Sequence, residues 1–467
     1  MRIWGLALLA ACHAAAPGVA GDAPVRDAPL RPDAAPIDAD LNAPTDTPAV
    51  PCTDTIDQVY ATAAQADAPL GTILACAVDS ALDQATAGTQ AGMTATSAVK
   101  IYRIAYQTRD GSGAPAVSTA RAYLPTTPIA RPVPLAITGH GSVGLADSCA
   151  PSLTDENDLP LPYAATGIAA IDPDLSGLGN AGWQDYLNNR GQGWQMLDAA
   201  RALRHLLAPG ITAPDIILSG YSQGGGAALS ARALLPSDGS DAGTLVATAV
   251  YAPEWPIRLN SFRYVDMLSD PTQLTIAYGL SFSSVAVMRQ FAYFENHVGA
   301  GMGDHAEPAA MRSGLDGAIG SQCLVGLGAW IQLDMLHTGD LIDDTLRTGL
   351  LACIAAEGPD AGCSGDAAAY YQALLADQLD MPGAGGPILL VQGALDQIMP
   401  PAGEAACIDQ KLVSSGVTVT PCVFSTSDHT TIMQQHPSGV AWAEAVLAGT
   451  TPGSCGDAGA TLPACTQ

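Results

Sequence analysis

A serine flanked by glycines, at a point where a strand pattern changes to a helix pattern, restricts most strongly how this chain can fold. Residues 220–224 read Gly-Tyr-Ser-Gln-Gly, after a predicted strand at 215–218 and before a helical pattern at 225–235. Glycine is needed on both sides because side chains there would collide with the neighbouring strand and helix. The pattern predicts Ser222 as an exposed nucleophile on a strained turn. An ordinary glycine-rich turn is the alternative interpretation.

Strand and helix patterns alternate from about residue 100 onwards. Two apolar runs, 101–108 and 117–124, flank a glycine-containing turn and predict an antiparallel hairpin. Later apolar runs are typical of buried parallel strands. They lie at 133–138, 167–171, 216–219, 246–251, 388–392 and 417–424. We therefore predict an α/β fold with a mostly parallel central sheet.

A serine needs a base and an orienting acid to become a good nucleophile, and both are expected downstream. Asp396 follows the predicted strand 388–392, at the strand end where sites of such sheets form. His429 lies in the loop after the last predicted strand, and its neighbour Asp428 is expected to support that loop. We predict Asp396 as the acid and His429 as the base. A turn or helix-capping role for Asp396, and His436 as the base, are the alternatives.

Two backbone amides are predicted to stabilise negative charge that develops on a substrate oxygen. The first belongs to Gln223, at the positive N-terminal end of the predicted helix. The second follows an early strand, where residues 139–142 read Gly-His-Gly-Ser. That segment resembles the His-Gly-x oxyanion loop of many lipases and esterases, and by this resemblance the donor is the amide of Ser142. The side chain of His140 is expected to transfer no proton.

The first 51 residues differ in composition from the rest of the chain. Residues 1–12 combine a cationic start with a short apolar run that ends in Leu-Ala-Ala-Cys, which resembles a bacterial lipobox and predicts lipidation of Cys12. An ordinary secretory signal cut a few residues later is the alternative. Residues 13–51 are rich in Asp, Ala and Pro and predict a disordered tether. We expect an exported protein: a cell-surface or outer-membrane lipoprotein, or a secreted one.

The α/β core is predicted in two pieces, 52–254 and 385–467. Between them, residues 255–384 depart from the strand and helix alternation and predict an inserted helical cap. Helical patterns lie at 278–294 and 366–379, and the second opens with an aspartate suited to the N-cap.

Charge and cysteine content exclude several classes of function. The net charge of −27 repels nucleic-acid phosphates, so nucleic acid is not an expected partner. Of the 11 cysteines, Cys12 is set aside, and the even remainder predicts five disulfides formed in an oxidising compartment. No Cys-x-x-Cys pair or Cys/His cluster has metal-binding spacing, so we expect no metal. The serine mechanism predicted above needs no cofactor.

Short separations along the chain favour three of these disulfides, although connectivity stays open. The candidate pairs are Cys353 with Cys363, Cys407 with Cys422, and Cys455 with Cys465.

Several motifs together resemble the secretory lipase family, which includes fungal secreted lipases and bacterial relatives. They occur in the family's order at residues 68–74, 140–152, 174–179, 220–225 and 392–396. The resemblance implies an α/β-hydrolase fold with a helical lid, and cofactor-free hydrolysis of carboxylic esters, typically acylglycerols. It also implies that Ser222, Asp396 and His429 form the triad.

Two other functions remain open at this stage. A serine peptidase acting on short peptides uses the same triad, and a hydrolase-like surface module would bind without catalysis. We expect a monomer that acts on small-molecule or lipid esters, with membrane association through an N-terminal lipid anchor.

Overall fold

The apolar segments pair into one mixed sheet. The structure, a computed structural model, describes residues 43–154, 159–255, 279–338, 341–355 and 363–466. Among these residues the sheet has nine strands: β1 Ile73–Leu82, β2 Val99–Arg109, β3 Pro115–Pro125, β4 Val133–Gly139, β5 Ala169–Pro173, β6 Thr212–Tyr221, β7 Thr244–Tyr251, β8 Ile388–Gly393 and β9 Val419–Phe424.

The strand order across the sheet is β1-β2-β3-β5-β4-β6-β7-β8-β9. Strands β1, β2, β3 and β5 pair antiparallel, and β5, β4, β6, β7, β8 and β9 pair parallel. The predicted hairpin is β2 and β3, and the predicted α/β fold is confirmed. Because the parallel strands point the same way, the loops after β4, β6, β8 and β9 emerge at one edge of the sheet.

Helices of the described residues pack around the sheet, and five of them lie between β7 and β8. In chain order they are α1 Ile56–Tyr60, α2 Gln84–Ala91, α3 Pro151–Thr154, α4 Pro160–Ala165, α5 Asn189–Leu206, α6 Gln223–Asp238, α7 Gly279–Tyr293, α8 Ala309–Ile319, α9 Leu324–Thr338, α10 Asp344–Ala355, α11 Gly365–Ala376, α12 Ala405–Ser414 and α13 His436–Leu447.

Helix α5 illustrates how the sequence pattern builds the core. Met196, Ala200 and Leu203 recur on one face and are fully buried against the sheet. The helix begins where the side chain of Asn188 accepts a hydrogen bond from the Gly191 amide at 2.7 Å. Burying each large apolar side chain of this kind contributes about 2 kcal/mol.

We call α7–α11 the cap helices. Their buried apolar side chains form a second cluster, which also takes in Leu145, Tyr186 and Met399 from loops of the core. The aspartate expected at the N-cap of α11 lies instead in its first turn, and Ser364 occupies the N-cap position. The cap helices therefore pack directly on loops at the carboxyl edge of the sheet.

Five disulfides pair the ten cysteines: Cys52–Cys76, Cys149–Cys323, Cys353–Cys363, Cys407–Cys465 and Cys422–Cys455. Of the three local pairs expected, Cys353–Cys363 is correct and the other two are wrong. They fail because the chain after α13 folds back, so that Asp457 donates its amide to Val423 in β9. Proximity in space, rather than along the chain, decides these pairs.

Residues 43–51, predicted as the end of the tether, make hydrogen bonds with the core. Ala49 donates its amide to the Leu206 carbonyl at 2.7 Å, and the Thr45 hydroxyl donates to the Pro125 carbonyl at 2.8 Å. The Cys52–Cys76 disulfide holds this segment beside β1. Cys12, the signal segment 1–12 and the rest of the tether lie outside the described residues. Within the described part of the chain, no helix is both long and apolar enough to cross a membrane.

Candidate active site

The turn that carries Ser222 joins β6 to α6. Ser222 has φ 52° and ψ −116°, a left-handed conformation that costs a non-glycine residue on the order of 1 to 3 kcal/mol. Its glycine neighbours are required by close backbone contacts: a Cβ added to Gly220 would lie 2.1 Å from the Gly224 carbonyl oxygen. One added to Gly224 would lie 2.0 Å from the carbonyl carbon of Gly139. The strained turn therefore agrees with the prediction made from the Gly-Tyr-Ser-Gln-Gly pattern at 220–224.

The structure brings Ser222, His429 and Asp396 together in a hydrogen-bonded series. The Nε2 atom of His429 lies 3.0 Å from the Ser222 Oγ, and its Nδ1 atom lies 2.8 Å from the Asp396 Oδ2. Ser222 follows β6, Asp396 follows β8 and His429 follows β9. Only 7 % of Ser222 and 7 % of His429 is exposed, so the pair sits in a largely desolvated site.

The Asp396 carboxylate is buried and held by several donors. The Met399 amide donates to its Oδ1 at 2.7 Å, and the side-chain amide of Gln392 donates to its Oδ2 at 3.1 Å. These bonds fix the carboxylate opposite the His429 Nδ1, which orients the imidazole and selects its tautomer. Gln392 is a contributor that the sequence analysis did not single out for this role.

The loop after β4 rests on the first turn of α6. The Gly224 amide donates to the His140 carbonyl at 2.9 Å, and a Cβ added to Gly141 would lie 3.9 Å from the Ser222 Cβ. Ser142 follows directly, and its hydroxyl shares a hydrogen bond with the buried Tyr186 hydroxyl. Gln223 is the first residue of α6, so its amide has no acceptor within the helix. Both predicted oxyanion residues thus lie on segments next to Ser222.

The side chain of His140 is buried behind this loop. Its Nδ1 atom lies 2.7 Å from the Gly141 carbonyl and its Nε2 atom 3.2 Å from the Asp174 carbonyl. Gln184 also donates to the Asp174 carbonyl, at 3.2 Å. Both ring nitrogens of His140 are therefore engaged with the main chain, which stabilises the shape of the loop.

His436, the alternative base, and Asp428, the neighbour of His429, lie in other environments. His436 lies between Tyr163 and Tyr251, with ring centroids 5.8 and 5.2 Å away, and burial lowers the pKa of His436 to about 3. The Asp428 carboxylate accepts hydrogen bonds from the Thr431 amide at 2.8 Å and the Thr430 amide at 3.0 Å. These bonds lower the pKa of Asp428 to about 2. His436 is a packing residue, and Asp428 stabilises the turn after His429.

The cap helices are tied to the loop after β4. Cys149, just after that loop, forms its disulfide with Cys323, and the next residue, Leu324, donates its amide to the Val143 carbonyl at 2.7 Å. Gly144 pairs with Cys323 as an isolated bridge. No cluster of three or more His, Cys, Asp or Glu side chains in the described segments has the geometry to hold a metal ion.

Solved structures share this architecture at low sequence identity. The rice cell wall degrading esterase LipA from Xanthomonas oryzae is 19% identical with a TM-score of 0.61, over 82% of this chain and 100% of that chain. A putative hydrolase from Legionella pneumophila is 16% identical with a TM-score of 0.61, over 80% and 98% of the two chains. Candida antarctica lipase A is 16% identical with a TM-score of 0.59, over 87% and 91%.

No protein-family profile and no curated protein sequence matches the chain. The likeness is therefore carried by three-dimensional structure. Together with the parallel sheet and the turn after β6, it establishes that the chain has the α/β-hydrolase fold.

Proposed function

We propose that this protein is an exported serine hydrolase of carboxylic esters, and that acylglycerol-type esters are its substrate class. The observation that carries the proposal is the hydrogen-bonded series from Asp396 through His429 to Ser222, with distances of 2.8 and 3.0 Å. Such a series makes a serine hydroxyl nucleophilic, because the imidazole accepts its proton and the carboxylate stabilises the imidazolium that results.

In the proposed mechanism, the Ser222 Oγ attacks the ester carbonyl carbon while His429 Nε2 takes the hydroxyl proton. The negative charge that develops on the carbonyl oxygen is stabilised by the backbone amides of Gln223 and Ser142. His429 then returns the proton to the departing alcohol oxygen, which leaves an acyl group on Ser222. A water molecule, deprotonated by His429, attacks the acyl group and releases the carboxylic acid and the free serine.

The proteins of similar structure favour ester hydrolysis over peptide hydrolysis as the proposed reaction. The Xanthomonas and Candida proteins of similar structure are described as an esterase and a lipase. At these low identities the likeness shows only a shared fold. The substrate class is therefore part of this proposal, and it is supported by the sequence motifs that resemble the secretory lipase family. A peptidase and a non-catalytic binding module are therefore outcomes that the first experiment has to separate.

That experiment compares p-nitrophenyl esters of increasing acyl length with aminoacyl anilides on purified protein. We expect turnover of the esters and little turnover of the anilides, and the acyl series defines chain-length preference. Ser222→Ala should abolish turnover. The matched control is Ser230→Ala, since Ser230 lies in α6, the helix that follows Ser222, and its hydroxyl bonds only Asn189 and Trp255 among the described contacts. Faster anilide turnover would make the protein a peptidase, and no turnover of either would make it a binding module.

We further propose that the protein is exported and anchored through Cys12. The lipobox-like segment, the Asp/Ala/Pro-rich stretch after it and five disulfides support this, since disulfides persist in oxidising compartments. Mass spectrometry of the mature N-terminus is the test. An acylated Cys12 in the membrane fraction is expected, and Cys12→Ser should release or trap the protein. An unmodified terminus beyond Cys12 would refute anchoring and leave the hydrolase proposal intact.

A further inference from the structure

Tyr221 occupies the variable position of the Gly-x-Ser-x-Gly motif, immediately before Ser222. Its hydroxyl donates a hydrogen bond to the main-chain carbonyl of His429 at 2.9 Å. Its ring lies beside the imidazole of His429, with centroids 5.2 Å apart and planes tilted by 39°. The residue next to the nucleophile therefore contacts both the main chain and the ring of the base.

The same ring also packs against the oxyanion loop. A Cβ added to Gly141 would lie 2.7 and 2.8 Å from the Cδ1 and Cε1 atoms of the Tyr221 ring. Glycine is thus needed at 141 to let the ring approach the backbone that leads to Ser142. A side chain on the nucleophile turn thus contacts both the loop of the base and the loop of the second oxyanion donor.

These contacts supply a restraint that the Asp396 hydrogen bond does not. The bond from Asp396 to Nδ1 holds one edge of the imidazole, but His429 lies in a loop after β9, and its main chain has to be fixed separately. Burial raises the pKa of the Tyr221 hydroxyl above its ordinary value, so the group stays protonated and remains a donor at neutral pH. Small displacements of a base from its nucleophile slow proton transfer strongly.

We propose that Tyr221 is a positioning residue, which holds the main chain of His429 and the oxyanion loop in register with Ser222. The proposal rests on the proposed serine-hydrolase function, and it does not depend on which acyl substrate the enzyme prefers. It assigns a role to a position that the nucleophile motif leaves open.

The chain offers a closely matched control. Tyr251 also donates its hydroxyl to the main-chain carbonyl of a histidine, His436, at 3.3 Å, and its ring also lies 5.2 Å from that imidazole. His436 has no part in the proposed mechanism. Tyr221→Phe and Tyr251→Phe therefore remove the same kind of hydrogen bond, one at the base and one away from it.

The test measures the rate constant for labelling by a small fluorophosphonate, alongside kcat and KM for a p-nitrophenyl ester and Tm for each variant. Labelling reports activation of the serine by its base even if the ester chosen is a poor substrate. We expect Tyr221→Phe to slow labelling and lower kcat by about tenfold or more, with KM nearly unchanged. Tyr251→Phe should change both rates less than about twofold, although its Tm falls similarly.

Equal labelling rates for Tyr221→Phe and the wild type would overturn the positioning role. So would a rate loss that Tyr251→Phe reproduces at the same change in Tm, because that result indicates general destabilisation. A wild-type protein that is labelled but turns over no ester would refute the proposed substrate class and leave this test valid. A wild-type protein that is not labelled at all would refute the serine-hydrolase function and the Tyr221 role together.

Discussion

The Nε2 atom of His429 lies 3.0 Å from the Oγ atom of Ser222, although 207 residues separate the two along the chain. The approach follows from the parallel sheet, since Ser222 follows β6 and His429 follows β9 at the same edge. Met399 links this pair to the cap helices, because its amide donates to Asp396 and its side chain packs in their apolar cluster.

Asp377, which follows α11, joins the cap helices to the core. Its carboxylate accepts hydrogen bonds from the Asn189 amide at 2.7 Å and the Arg190 amide at 2.9 Å, both in the first turn of α5, and from the Tyr293 hydroxyl at 2.8 Å. Burial nevertheless raises the pKa of Asp377 from 3.8 to about 6. Between these pH values the folded protein binds a proton that the unfolded chain has lost.

Stability from this group is therefore present at low pH and declines as pH rises from about 4 to 6, by about 3 kcal/mol at most. Asp377→Asn should remove this decline while lowering stability overall, because an amide nitrogen cannot accept a main-chain N–H. Urea unfolding of the wild type and of Asp377→Asn at several pH values measures how the stability of each depends on pH. Parallel stability curves for the two proteins would refute the assignment.

His436 has the opposite effect on the pH dependence of stability. Because burial lowers the pKa of His436 from 6.5 to about 3, the unfolded chain binds a proton between these values that the folded protein does not. Acidification below pH 6.5 should therefore destabilise the wild type by about 1.4 kcal/mol per pH unit through this residue. His436→Phe keeps an aromatic ring between Tyr163 and Tyr251 and removes the titration. The variant should lose less stability than the wild type between pH 6.5 and 4, and an equal loss would contradict the account.

The Cys149–Cys323 disulfide should matter for activity as well as stability. It closes a sequence separation of 174 residues and joins the cap helices to the loop after β4. Replacing both cysteines with alanine should lower stability by about 5 kcal/mol in the chain-entropy model, and should lower kcat because the loop of Ser142 loses its support.

Cys353–Cys363 provides the comparison, since it joins α10 to the residue two before α11, makes no link to the loop after β4, and spans a separation of 10 residues. Its removal should cost about 3 kcal/mol in the same model and leave kcat largely unchanged. Calorimetry measures the loss of stability in both double variants, and ester kinetics measures the change in kcat. Equal kcat values in the two variants would show that the tie to the loop has no effect on catalysis.

Local pattern was sufficient to predict most of the sheet. The turn at 220–224 required a strand before it and a helix after it, and apolar runs marked the parallel strands β4 to β9. β1 was not predicted, because its buried side chains are mostly small, as in Ala75, Cys76 and Ala77, and give a weak strand pattern. That strand is stabilised by pairing with β2 and by the disulfide to Cys52.

Contacts that depend on the path of the chain in space could not be predicted in this way. Cys407 forms its disulfide with Cys465 rather than with Cys422, which is nearer along the chain, because the C-terminal segment returns across α12 and β9. The hydrogen bond from Gln392 to Asp396, and the one from Tyr221 to His429, leave no periodic signal in the sequence. Asp396 and His429 were predicted as acid and base because both follow strands, whereas the hydrogen bonds of Gln392 and Tyr221 are visible only in the three-dimensional structure.

The central claim is that Ser222 is the nucleophile, and covalent labelling tests it most directly. Purified protein is treated with a fluorophosphonate, and the intact mass and the modified peptide are measured by mass spectrometry. We expect one adduct, located on Ser222, together with loss of ester hydrolysis in proportion to labelling. Ser222→Ala, with an unchanged circular dichroism spectrum, should take up no label. Full labelling and wild-type turnover in the folded Ser222→Ala protein would contradict the account.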